Sequence, residues 1–127
     1  CYYRGYSEPL AHLIEAGADI FLMPSRFEPC GLNQMYSMAY GTIPIVHATG
    51  GLIDSVEPWD GSSGTGFRFA PHDADALAAV LEEAIDVWHD AAARERLIAN
   101  GMARDDSWDA RAEEYRTIYR RAVSSRR

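Results

Sequence analysis

Ile20-Phe21-Leu22-Met23-Pro24 leads into Ser25-Arg26-Phe27-Glu28-Pro29-Cys30-Gly31-Leu32-Asn33-Gln34, and this passage decides how the chain is read. A short apolar run stops at a proline. A polar turn follows, with a carboxylate, a thiol and a glycine in four positions. From Asn33 the pattern becomes amphipathic and runs to Tyr40. Physically this is a buried strand, a tight loop and a helix N-terminus. In open α/β sheets, ligands bind at such loops, beyond the carboxyl ends of the strands. Free N–H groups at a helix N-terminus suit an anion. The stretch therefore suggests a phosphate-bearing ligand with Glu28 beside it. Most α/β domains contain strand-to-helix loops of this form, and few of those bind phosphate.

The flanking segments repeat the alternation. Ser7 offers an N-cap and Pro9 sits in the first turn, so a helix is expected from about Glu8 to Ala16, with Leu10, Leu13 and Ile14 on its apolar face. Gly17 fits its stop. Ala18 to Met23 is expected to be a fully buried parallel strand. Gly41 ends the helix that begins at Asn33. Ile43-Pro44-Ile45-Val46-His47 is the next buried strand. Thr49-Gly50-Gly51 turns at its carboxyl end, where two glycines allow either close approach to a ligand or merely a tight turn. Leu52 to Val56 is short and helical or irregular. Pro58 to Gly66 is a surface loop, and Gly66 to Phe69 a short strand. Asp73 caps a helix from Ala74 to Trp88, with Leu77, Val80, Leu81, Ile85 and Trp88 as its core stripe. A helix from Ala91 to Asn100 stops at Gly101. A last helix runs from Ser107-Trp108 to about Ala122, with Ala112, Tyr115, Ile118 and Tyr119 turned inward. The order implies a parallel sheet with covering helices, the second half of a Rossmann-like domain.

Composition narrows the function. The 127 residues suffice for about one domain, and 47% apolar with 24% charged residues is ordinary for a globular chain. A net charge of −7 argues against a nucleic-acid partner. No run of 18 or more apolar residues predicts a membrane span. Cys1 and Cys30 are read as free thiols of a reducing compartment. His12, His47, His72 and His89 lack metal-ligand spacing, so no metal is expected, and His12 and His47 read as packed or hydrogen-bonded. Tyr6 can stack on a flat base or belong to a core. Glu28 is the first chemical candidate: it can accept hydrogen bonds from sugar hydroxyls or stabilise a cationic transition state. No Gly-x-Ser-x-Gly elbow, P-loop or GxGxxG is present. A chain that starts at Cys1 without Met reads as the interior of a longer protein.

Together, Arg26 to Gln34, Tyr40-Gly41-Thr42-Ile43-Pro44-Ile45-Val46 and Thr49-Gly50-Gly51-Leu52 resemble the C-terminal domain of starch synthases and bacterial glycogen synthases. Asn33-Gln34, Met38-Ala39-Tyr40-Gly41-Thr42 and Val46-His47-Ala48 look closest to the soluble starch synthases of plants and algae. The similarity runs from about Gly5 to Tyr119. It implies α/β architecture: residues 1–127 would be part of the C-terminal nucleotide-sugar-binding domain of a GT-B glycosyltransferase, with its C-terminal helices. It implies retaining transfer of glucose from ADP-glucose to the non-reducing end of an α-1,4-glucan, without cofactor or metal. Glu28 would lie beside the donor glucose as the catalytic candidate. Backbone at Cys30, Gly31 and Leu32 would meet the glucose and phosphates, and Asn33 the distal phosphate. Tyr6 would stack on adenine, and Thr49 and Gly50 would border the donor-sugar pocket. The family's N-terminal domain, with its Lys-x-Gly-Gly-Leu motif, is not in the chain, nor is the upstream Arg and Lys pair that neutralises the diphosphate. These 127 residues alone are therefore expected to be inactive. Tyr36 stands where related glycosyltransferases often carry a second Glu. A starch synthase would work in a plastid, a bacterial enzyme in the cytoplasm. The rivals are a bacterial glycogen synthase and a non-catalytic nucleotide-sugar or glucan-binding homologue.

Overall fold

The computed structural model describes residues 2–125. Three parallel strands form one sheet in the order β1-β2-β3: Ile20–Met23, Ile43–His47 and Phe67–Phe69. Six helices surround it: α1 Glu8–Gly17, α2 Asn33–Tyr40, α3 Gly51–Ser55, α4 Ala74–His89, α5 Ala91–Met102 and α6 Trp108–Ser124. In register, Leu22 lies opposite Ile45, and Ile45 opposite Phe67.

The alternation of β2 explains the layering. Ile43 and Ile45 point to one face and pack with Phe67, Phe69, Val80, Ala84 and Leu97, under α4 and α5. Val46 points to the other face and packs with Leu52 and Val56, under α3. A central parallel strand covered on both faces needs a continuous apolar run, and Ile-Pro-Ile-Val supplies it.

Helix boundaries follow local chemistry. Ser7 caps α1, Asp73 caps α4, Asp90 caps α5 and Ser107 caps α6, each by accepting a backbone N–H in the first turn. Gly41 ends α2 with φ 84°, its N–H returning to Met38 and Ser37 carbonyls.

Several expectations need correction. The first strand is not fully buried: it forms one edge of the sheet, and Leu22 is exposed. An apolar run reads alike at an edge and at a centre. On α1, Leu13 and Ile14 are exposed and the buried residue is Glu15. On α4, Ile85 is exposed while Val80 and Ala84 are buried. On α6, Ala112, Tyr115, Ile118 and Tyr119 do not turn inward: the helix buries none of its residues. Helical spacing tells which side chains share a face; it does not supply an element to cover that face. Gly101 does not stop α5 but sits inside it, buried beside Met38 of α2. A Cβ there would lie 3.4 Å from the Met38 side chain, an ordinary contact distance, so Gly101 packs against α2 without the position demanding glycine. The Pro58-to-Gly66 loop is exposed at residues 60–63, as a surface loop should be, but it is ordered by its own side chains and anchored to α5. Asp60 accepts from the N–H and hydroxyl groups of Ser62 and Ser63, which hold its carboxyl well below the usual range, and Asn100 donates to the Gly64 carbonyl.

Glu15 yields a stability prediction. It is 3% exposed, and burial raises its carboxyl pKa, partly offset by His12. A raised folded pKa means the native state holds this proton more tightly than the unfolded chain. Stability then falls as pH rises from the unfolded value through the folded one, and stays lower above it. Glu15→Gln is expected to raise the melting temperature at pH 7. The gain should vanish once pH drops below about 4, where Glu15 is protonated in both states. Thermal melts of both proteins across pH 3–8 check this; equal Tm values at pH 7 would refute it.

Candidate nucleotide-sugar site

All three strands are parallel, so the segments 24–32, 48–50 and 70–73 emerge on one edge of the sheet. The first carries Glu28, Cys30, Gly31 and Leu32, and leads into Asn33, the first residue of α2. The second carries Thr49 and Gly50.

These segments are fitted backbone to backbone. The Gly51 N–H donates to the Glu28 carbonyl at 3.0 Å. A Cβ on Gly50, whose φ is +47°, would overlap that same carbonyl. A Cβ on Gly51 would stand 2.6 Å from the Cys30 Cα and 2.7 Å from its carbonyl oxygen. The two glycines thus make room for the loop of Glu28. The sequence left open close approach to a ligand or a merely tight turn; what the glycines admit here is another stretch of the chain's own backbone.

Gln34 supports the loop from inside. It is fully buried, and its Nε2 lies 3.1 Å from the Cys30 carbonyl, 3.0 Å from the Gly31 carbonyl and 2.9 Å from the Ser55 hydroxyl. The Ser55 hydroxyl donates onward to the Gly51 carbonyl. Gly31 turns there with φ +73°. In the sequence Gln34 stands out only as part of the Asn33-Gln34 motif, not as a support of the loop. The available signal was polar residues on a helical stripe, since Gln34 and Ser37 share the buried face with Met38.

α2 begins without a side-chain cap. Leu32 occupies its N-cap position and makes no capping bond, unlike Ser7, Asp73, Asp90 and Ser107 on the other long helices. Its first N–H groups are left for a ligand or water. Glu28 is half-buried, and among the described residues nothing hydrogen-bonds its carboxylate. An uncapped helix start with a carboxylate a few residues upstream can hold a phosphate and a polyhydroxyl group side by side.

Cys30 is exposed and free of disulfide, and Cys1 lies outside the described residues. Tyr6 precedes α1 and is 90% exposed, so it is no core residue; its face is open for stacking. His12 meets the Tyr40 hydroxyl at 3.2 Å, and His47 meets the Ser25 carbonyl at 2.7 Å, so both are hydrogen-bonded as expected. A second group missed in the sequence borders Cys30. Arg104 and Arg111 both bind Asp106, and the Arg104 hydrogen bonds are the main cause that holds its carboxyl below the usual range. With Cys30, Leu32, Tyr36 and Trp108 they line a groove of about 720 Å³. Among the described residues no cluster of His, Cys, Asp and Glu could hold a metal, and no helix is long and apolar enough to cross a membrane.

Residues 2–104 match the model of the family Glycosyl transferases group 1, and the chain belongs to that family. It is 54% identical over 123 residues to the glycogen synthase of Anaeromyxobacter dehalogenans, covering 96% of this chain and 26% of that protein. It is 57% identical over 125 residues to glycogen synthase 1 of Geobacter metallireducens, with coverages of 96% and 25%. Among solved structures it resembles the catalytic domain of starch synthase IV from Arabidopsis thaliana bound to ADP and acarbose. That match has a TM-score of 0.83 and 41% identity, over 94% of this chain and 26% of the other. The expected parallel α/β sheet of a GT-B glycosyltransferase is therefore present. The chain spans about a quarter of the length of these relatives.

Proposed function

We propose that this chain supplies the donor-binding part of a longer retaining glucosyltransferase that extends an α-1,4-glucan from ADP-glucose. In that reading residues 1–127 are part of its C-terminal nucleotide-sugar-binding domain, and a partner N-terminal domain brings the acceptor. The observation that carries it is the uncapped α2 N-terminus joined to the Glu28 loop at the carboxyl edge of the sheet. The resemblance to a starch synthase structure with ADP bound supports the same placement.

Each residue then has a role. The N–H groups around Cys30, Gly31 and Leu32 hold the glucose and phosphates. Asn33 stands near the distal phosphate, and Tyr6 stacks on adenine. Thr49 and Gly50 border the sugar. Glu28 stabilises positive charge on the glucosyl carbon. The bond from that carbon to the diphosphate breaks, and ADP leaves with the electron pair. A bond forms to the glucan's terminal 4-hydroxyl, whose proton passes to the departing phosphate. Charge developing on ADP is met by the helix N-terminus.

Two forms of the enzyme share this chemistry. A starch synthase fits the motif resemblance and would act in a plastid. A glycogen synthase of the bacterial cytoplasm is favoured by identities of 54% and 57% to bacterial enzymes, against 41% to starch synthase IV. The test is transfer by the full-length protein with ADP-glucose or UDP-glucose and a short maltodextrin. Chain extension from ADP-glucose is expected, with none from residues 1–127 alone. ADP-glucose binding without transfer by the full-length protein would establish a non-catalytic homologue instead.

A further inference from the structure

Two histidines outside the donor contacts grip the chain where β1 becomes the Glu28 loop. His47 ends β2, and its Nδ1 lies 2.7 Å from the Ser25 carbonyl oxygen. His72 follows β3, and its Nε2 lies 3.0 Å from the Pro24 carbonyl oxygen. These carbonyls are consecutive. The two imidazoles meet edge to face, with centroids 4.6 Å apart, and His47 also packs against Phe69. A carbonyl has no hydrogen to give, so in each ring the facing nitrogen must carry the proton. The contact is therefore made by the Nδ1–H tautomer of His47 and the Nε2–H tautomer of His72. Three residues beyond Ser25, the Gly51 N–H holds the Glu28 carbonyl. The segment from Pro24 to Glu28 is fixed at both ends, and the histidines are its fixture on the strand side.

We propose that His47 and His72 are positioning residues of the donor site, which set the course of the Pro24–Glu28 segment and so the place of the Glu28 carboxylate. This rests on the reading of Glu28 as a donor-side group. Neither ring is needed to touch substrate. The effect is on geometry, and misplacement by about 1 Å can cost up to about 100-fold in rate.

The two tautomers give a discriminating test. An asparagine amide nitrogen sits near the position of a histidine Nδ1, and a glutamine amide nitrogen near Nε2. His47→Asn and His72→Gln should restore the hydrogen bond that His47→Ala and His72→Ala remove; His47→Gln and His72→Asn should not. His72 is exposed, so its variants keep the fold even where those of His47 melt early. In full-length protein with ADP-glucose and maltodextrin, His72→Ala is expected to lower kcat about 10-fold with KM for ADP-glucose within about twofold. His72→Gln should recover most of the loss and His72→Asn little. Equal kcat in all His72 variants, or loss that follows melting temperature with no rescue, would overturn the proposal. Should wild type transfer no glucose, the functional reading fails by itself, and the fixture is read from amide hydrogen exchange. Faster exchange across residues 26–31 in His72→Ala, reversed in His72→Gln, supports it; unchanged exchange rejects it.

Discussion

Glu28→Ala in the full-length protein is expected to lower glucan extension by about 100- to 1,000-fold, the usual cost of removing one preorganised electrostatic group from a transition state. The argument begins with what Glu28 does not do. Its carboxylate has no hydrogen-bond partner among the described residues, so no part of the fold depends on it. Its backbone, by contrast, is held by the Gly51 N–H, so the side chain springs from a fixed point. A carboxylate unused by the fold, fixed at the carboxyl edge of a parallel sheet, is available to charge that develops on a bound sugar. The loss should therefore fall on kcat, while ADP binding and melting temperature change little, because the α2 N-terminus and loop backbone remain. Steady-state kinetics with calorimetric ADP binding check both halves. Turnover within threefold of wild type would remove Glu28 from the reaction. Equal loss in kcat and in ADP affinity would make it a binding residue.

Much of this arrangement is readable from residue types. Ile43-Pro44-Ile45-Val46 must be buried on both sides, and it is. Gly41 after an amphipathic run predicts a left-handed helix end, and its φ is 84°. Ser7, Asp73 and Ser107 mark helix starts and cap them. The helix signals are local: the residue and its consequence lie within a few positions of each other.

What escaped the sequence is relational. The apolar stripe Tyr115, Ile118 and Tyr119 is real as a stripe, but no described element covers it, and periodicity carries no information about a neighbour. The edge position of β1 depends on which strand pairs with which. His72 reaches Pro24 across 48 residues, and Gln34 reaches Ser55 across 21. Histidine and glutamine have no fixed spacing that announces such contacts. Even Gly50 and Gly51, which stood out, could not name their partner. Their freedom is spent on the backbone of Glu28 and Cys30 some twenty residues earlier.

Gly51→Ala should disturb the site more than it disturbs the fold. The added methyl would stand 2.6 Å from the Cys30 Cα, 2.7 Å from the Cys30 carbonyl oxygen and 2.9 Å from the Pro29 carbonyl oxygen. All three are backbone atoms, so no rotamer change can relieve the contact. Either α3 or the 28–31 loop must shift. Overpacking of this kind costs about 1–3 kcal/mol, which predicts a melting temperature lowered by several degrees in a folded protein. The shift also pulls on the Gly51 N–H that holds the Glu28 carbonyl and on the Gln34 contacts to Cys30 and Gly31. The 28–31 loop is the more exposed partner, while α3 is anchored by buried Leu52, so the loop yields first. Glucan extension at a temperature well below melting should therefore fall at least about 100-fold, the scale of a 1 Å misplacement. Gly17→Ala is the matched control, because nothing lies within 4 Å of the Cβ it adds at the end of α1. That variant should keep wild-type turnover and melting temperature. Full activity in Gly51→Ala would mean the loop tolerates displacement, and the tight seating of the two glycines would then serve folding alone.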